Sequence, residues 1–350
     1  MITKSSPGKL FISGEWSVLE GNPAIVAAID SRTTVTIKKS KDNLFHIHLK
    51  DYGLKVDFRL VQGNFSYIQK LSKKKIKKFR FMKNAVEICC KYFSGLAPFS
   101  IETRNDRKGK FGFGTSASAT ASIISAIAGY EKQDISKIEL YKLSAVSHFI
   151  SQGKKGSGAD ISASVYGGVV LYYPYDSGWL KHEINKSDLK NLIKKEWPGL
   201  KLTRLIWPDD YFLSVGWTKK ASSTTQMIKK IMLFKKNHTS EYKRIIKKIS
   251  GTTIGLSDAI DSDDKPAVLK FIRKTEAFLR ELGILSGVDI ETQELKNLTE
   301  IADRHGGAGK LSGAGGGDCG IAVCFDRITK DKIEKNWIDS GIVPFDVGIY

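Results

Sequence analysis

Residues 109–131, GKFGFGTSASATASIISAIAGYE, carry three glycines and a Thr-Ser-Ala-Ser run straight into small and apolar residues that read as a helix. This junction constrains the chain more than any other stretch. Glycines at 112 and 114 let the backbone turn and come close to a ligand. The first amides of a helix have no acceptor inside it, and with the helix dipole they favour an anion. The hydroxyls of Ser116 and Ser118 are candidates to touch phosphate oxygens or Mg²⁺. The same residues also read as an ordinary capped helix behind a loop, with Thr115 or Ser116 as N-cap. The usual phosphate-loop signature requires Gly-Lys-Ser or Gly-Lys-Thr. It is not met, because Gly109-Lys110 is followed by Phe111 and Gly309-Lys310 by Leu311.

Two further glycine loops stand apart from the first. QGKKGSGAD (152–160) sets Asp160 just after a Gly-Ser-Gly turn, where an aspartate also serves as a helix cap. KLSGAGGGDCG (310–320) is so dense in glycine that close approach of a ligand to its backbone is the natural reason for it. Gly315, Gly317 and Gly320 match the dinucleotide spacing GxGxxG, but they lead into IAVCF, a strand, where that fingerprint must open a helix.

Alternating and β-branched residues predict strands at 9–13, 24–37, 44–49 and 54–60, with KDYG as a turn, then FSIETRND, VVLYYP, 202–206, 211–217, IAVCF and VPFDVGI. Helices are predicted at about 80–93, 117–130, 136–151, 264–282 and 290–305, with basic helices up to about 249. Ser136 and Glu139 form a capping box. The fold class is α+β in two lobes, divided as 1–190 and 191–350.

The net charge is +19. Its lysines cluster in LSKKKIKKFRFMKN (71–84) and at 227–250, where apolar residues recur at helical spacing between them. That is the pattern of amphipathic helices with wet basic faces. No nucleic-acid motif accompanies them, so the partners expected are small anionic substrates drawn by a positive cleft. Lys9, Lys110, Lys154, Lys155, Lys219 and Lys220 are its suggested contributors. No apolar run reaches membrane-spanning length and the amino terminus lacks a signal-peptide core, so no membrane is expected. Four cysteines without metal-ligand spacing read as reduced thiols in a cytoplasm.

The order of PGKLFISGEWSVLEG, GFGTSAS and KLSGAGGGDCGIAV along the chain resembles the GHMP kinase superfamily. Thr115 stands where that family's middle motif has Ser, and Trp16 where Tyr is usual. KFGFGTSAS, SQGKKGSGADISASVYGG and GWTKKASSTTQMI are most similar to its phosphomevalonate kinase branch. The resemblance implies the two-lobed GHMP fold with its active site in the cleft between lobes. It implies ATP-dependent phosphorylation of phosphomevalonate, with mevalonate kinase or mevalonate diphosphate decarboxylase as the alternatives, by a monomer or homodimer. It places Lys9, Asp160 and Lys110 in catalytic positions. It places Lys110, Gly112, Gly114, Thr115, Ser116, Ala117 and Ser118 around ATP, with Ser116 on Mg²⁺. On the substrate side it suggests Glu15, Gln152, Ser157, Gly158, Ser222, Ser223, Ser312, Gly313, Ala314 and Gly315. A phosphate nucleophile has a second pKa near ~6 and is largely ionised at neutral pH. Asp160 is therefore expected to orient Lys9 and the substrate or a metal rather than take a proton. His148 reads as a packed histidine.

Overall fold

The computed structural model describes residues 1–107, 109, 111–220 and 224–350. The first lobe is built on strands β1 (Ile2–Ser13), β2 (Ala24–Lys39), β3 (Phe45–Leu49), β4 (Leu54–Val61), β5 (Asn64–Tyr67), β6 (Phe99–Asn105), β7 (Val169–Tyr173) and β8 (Lys201–Leu205). Their order is β5-β4-β3-β6-β2-β7-β8, with β1 paired to β2. The helices of this half are α1 (Lys73–Tyr92), α2 (Thr115–Tyr130), α3 (Lys137–Ser151), α4 (Ala159–Tyr166), α5 (Ser177–Lys186) and α6 (Leu189–Lys194). The second half carries β9 (Phe212–Trp217), α7 (Thr224–Asn237), α8 (Thr239–Asp261), α9 (Lys265–Ser286), α10 (Gln293–Arg304), β10 (Ala308–Leu311), β11 (Cys319–Cys324), α11 (Arg327–Asp339) and β12 (Val343–Phe345). Its antiparallel sheet runs β10-β11-β9-β12. The α+β class expected from the sequence is the class found.

Strand β2 joins the halves because successive side chains of a strand point to opposite faces. Ala24, Val26 and Ala28 enter the core beneath α1–α4. Ile25, Ala27 and Ile29 enter a second core with Leu213, Val215, Leu256 and Ile321. Both faces are buried, which is why the run AIVAAI is continuously apolar rather than alternating. The first sheet takes in β8, so residues 201–205 belong to it although they lie past position 190.

Several local expectations meet corrections. ISASVYGG, to which the sequence pattern assigns no element, lies mostly in the helix α4, while KDYG is a turn as expected, with Lys50–Tyr52 forming its 3₁₀ turn. α1 starts at Lys73, seven residues before its expected start near 80, with Ser72 accepting from the Lys75 amide. β5, α5, α6, β10 and α11 were not expected. The Ser136–Glu139 capping box is present in both directions. Among the described residues, no helix is long and apolar enough to cross a membrane.

Candidate functional site

The site begins where β1 and β2 lose register. Pro7 opposes Arg32, but Gly8 opposes Ile29. Just past this slip the Lys9 amide donates to Phe113 O at 2.9 Å, outside the ladder. The slip thus lets the first glycine loop dock on β1, where Phe111 and Phe113 pack edge-on against Phe345. Lys9 Nζ then donates to Gly112 O at 2.9 Å. Gly114 caps α2 at φ +68°, and a Cβ there would stand 2.8 Å from Lys9 Cγ. Only glycine lets the lysine stem pass the start of the helix.

The three motifs converge on a cleft of about 300 Å³. Its lining includes Lys9, Glu15, Gly112, Gln152, Ser157, Asp160, Ser312–Gly315 and Asp318. Burial lowers the Lys9 pKa, while the charges of Asp160, then Glu15, Asp318 and Cys319, push it back up. The net effect is a lowered pKa, with the charges of three carboxylates, Asp160, Glu15 and Asp318, acting against burial. Asp160 is the second residue of α4, and its Oδ1 accepts the following amide of Ile161 at 3.1 Å.

The other expected residues divide. Thr115 and Ser116 open α2 just past the cleft-lining Gly112 and are not themselves in the lining, Thr115 exposed and Ser116 half-buried. Ala117 and Ser118 are buried, and both their amides donate to Gly114 O. The Ser118 hydroxyl lies 2.7 Å from Thr33 Oγ1, so it faces the core and not the cleft. Gly158 also lies beneath the cleft at φ +81°, where a Cβ would stand 2.8 Å from Tyr141 Oη. Ser312 Oγ donates to Phe11 O and accepts the Phe11 amide, which ties the third loop to β1 and occupies the hydroxyl. Gly313 reaches Glu15 Oε1 with its amide at 3.4 Å, and Gly315 packs on Ile290. Lys154 bonds Asn185 and Lys220 pairs with Glu294, so neither ammonium is committed to the cleft. Lys110, Ser222 and Ser223 lie outside the described residues.

Sequence reasoning passed over three groups here. Lys310, weighed only as a failed phosphate-loop lysine, is fully buried and bonds Glu15 Oε1 across the lobes. Beside it, Glu276 accepts the Leu311 amide at 2.8 Å. Asp318 lines the cleft at φ +55°, a strained conformation for a non-glycine residue, and its position inside a glycine run was the available signal. His148 is buried as expected, but its Nε2 lies 3.1 Å from Ser116 Oγ and 3.7 Å from Asp160 Oδ2. Its spacing before Asp160 gave no sign of this.

Two polar atoms beside the cleft lack a protein partner. Among the described residues, Glu15 Oε2 and Trp16 Nε1 are buried without hydrogen-bond partners, and both residues line the cleft. Buried polar atoms left so call for a partner that the protein itself does not supply. For a metal, no group of three or more His, Cys, Asp or Glu side chains is placed to hold an ion among the described residues. Mg²⁺ needs less, since it commonly shares substrate phosphates and water with one or two protein oxygens. The Ser116 hydroxyl and Asp160 carboxylate fit that demand.

Known proteins share this architecture. The family model for the GHMP kinases N terminal domain matches residues 80–168, and that for the GHMP kinases C terminal matches 266–342. A phosphomevalonate kinase of Streptomyces sp. (strain CL190) is 28% identical, with 98% of this chain and 96% of that protein aligned. The crystal structure of a Lin0012 protein from Listeria innocua superposes with a TM-score of 0.90 at 30% identity, over 99% of both chains. A Streptococcus pneumoniae phosphomevalonate kinase in complex with phosphomevalonate and AMPPNP superposes with a TM-score of 0.86 at 23% identity, over the whole of both chains.

Proposed function

This chain belongs to the GHMP kinase family, and from that premise we propose that it transfers the γ-phosphoryl group of ATP to (R)-5-phosphomevalonate, giving 5-diphosphomevalonate and ADP. The observation that carries the reading is the meeting of Lys9, Asp160 and the Ser312–Gly315 loop on one cleft beside the start of α2. The acceptor follows the name of the Streptomyces relative, which aligns over almost the full length of both chains.

Phosphoryl transfer depends chiefly on positioning and on neutralising charge. In this reading an oxygen of the acceptor phosphate attacks the γ-phosphorus as the bond to the β–γ bridging oxygen breaks, and ADP leaves with that electron pair. The glycine loop and the first amides of α2 receive the nucleotide phosphates. The Lys9 ammonium, held by Gly112 O, meets the developing negative charge. Asp160 orients that ammonium. It need not take a proton, because the acceptor phosphate is already largely ionised. Ser116, with Asp160, holds Mg²⁺, which when bound neutralises charge on the phosphates.

The test is ADP release by the purified protein with Mg²⁺, ATP and one acceptor at a time. Phosphomevalonate alone should be turned over. Turnover of mevalonate or of mevalonate diphosphate in its place would overturn the assignment of the acceptor.

A further inference from the structure

His148 stands behind the cleft, belongs to none of the three loops that line it, and has no part in the chemistry above. It projects from α3, and its ring is braced by Phe81, with centroids 5.1 Å apart and planes 31° apart. One nitrogen faces both cleft loops. Nε2 is within hydrogen-bond reach of Ser116 Oγ at 3.1 Å. At 3.7 Å, Asp160 Oδ2 is too far for a hydrogen bond but near enough for its charge to act.

A neutral imidazole carries one proton, on one of two nitrogens. A bare Nε2 would turn its lone pair toward the Asp160 carboxylate, whereas an Nε2–H faces that charge favourably. The proton therefore sits on Nε2, and Ser116 Oγ is the acceptor. The Ser116 hydroxyl proton then cannot point at His148, and the cleft side is left to it. Without such a donor, a serine in the first turn of a helix tends to spend its hydroxyl on nearby backbone groups.

We propose that His148 is a positioning residue: it donates from Nε2 to Ser116 Oγ and so presents the Ser116 hydroxyl proton to the phosphoryl oxygens in the cleft. This rests on the phosphoryl-transfer reading above.

Three variants and one spectrum test it. His148→Leu removes the donor and should lower kcat by about 10- to 100-fold, the usual scale for a supporting contact, with KM for both substrates little changed. His148→Gln offers an amide N–H close to the place of Nε2 and should restore most of the lost turnover. In a Ser116→Ala background, His148→Leu should add almost nothing, since residues acting through one contact are not additive. A glutamine variant as slow as the leucine variant, or a full additional loss in the Ser116→Ala background, would overturn the proposal. The histidine ¹⁵N spectrum of the wild-type protein decides the hydrogen bond without any turnover. His148, assigned by its loss in His148→Gln, should carry a proton on Nε2. An Nδ1–H tautomer with a bare Nε2 refutes the arrangement, even if the acceptor assay fails and the functional reading falls on its own.

Discussion

Lys9 shows how much a single residue owes to its surroundings. The stretch PGK is unremarkable as sequence, but the register slip at Pro7/Gly8 frees the Lys9 amide for the first glycine loop and aims its side-chain nitrogen at Gly112 O. Removing that nitrogen by Lys9→Ala should cut kcat at least ~100-fold, the scale of losing one well-placed transition-state donor, as read by steady-state ADP release. Asp160→Asn should lower turnover while keeping the acid limb of the pH–rate profile, because that limb belongs to the substrate phosphate. Disappearance of the limb would make Asp160 the titrating group. Gly114→Ala places a Cβ against Lys9 Cγ at a positive φ, so it should cost about 1–2 kcal/mol of stability and displace the lysine as well. A Gly114→Ala protein with normal melting and normal kcat would contradict that steric account. At this scale the placement of Lys9, Asp160 and Gly114 about one cleft was legible, since each sits in a motif whose order along the chain carries the resemblance. His148 and Asp318 were not. Their importance lies in what stands opposite them, which spacing along the chain does not encode.

The elements divide by how local their causes are. α3 was readable because Ser136 and Glu139 satisfy each other's amides within one turn. Ser136→Ala should cost about 1 kcal/mol in denaturant unfolding and leave kcat alone. β10 was missed because Ala308–Leu311 is only four residues long, and its strand character comes from pairing with β11. That strand buries Lys310, whose ammonium bonds Glu15 within the first motif. The two chain segments are thus tied by charges taken out of water, and breaking such a pair from one side is costly. Lys310→Met should lose about 3–5 kcal/mol, since it leaves Glu15 buried and uncompensated. Loss of less than 1 kcal/mol would mean that water or Lys9 already neutralises Glu15. α4 was not readable because ISASVY mixes β-branched and small residues without a clear period, whereas Gly158 and the packing on α2 and α3 make it a helix.

At the scale of the whole molecule, charge and burial set the response to solution conditions. With a net charge of +19, raising salt should lower kcat/KM for these polyanionic substrates well before it lowers kcat. Equal loss of both would place the effect in chemistry rather than encounter. The buried Glu276 behaves oppositely to most acids. Burial raises its pKa to about 8, reinforced by Glu291 and resisted by Lys310 and the Leu311 amide. The folded state then holds a proton that the unfolded chain releases near the ordinary value of 4.5. Folding stability should therefore fall as pH rises from about 4.5 to about 8, and Glu276→Gln should flatten that fall in unfolding measured across this range. By itself the sequence determined the α+β class, the three loops and their order, and the identities of Lys9 and Asp160, because turn chemistry, periodicity and functional motifs are local properties of the chain. Only the tertiary structure decided that β2 is buried on both faces, that Lys310 and Glu15 pair across the lobes, and that His148 stands between Ser116 and Asp160. Those depend on contacts between residues far apart in sequence, and it is the burial of charge and apolar surface, not any local preference, that selects them.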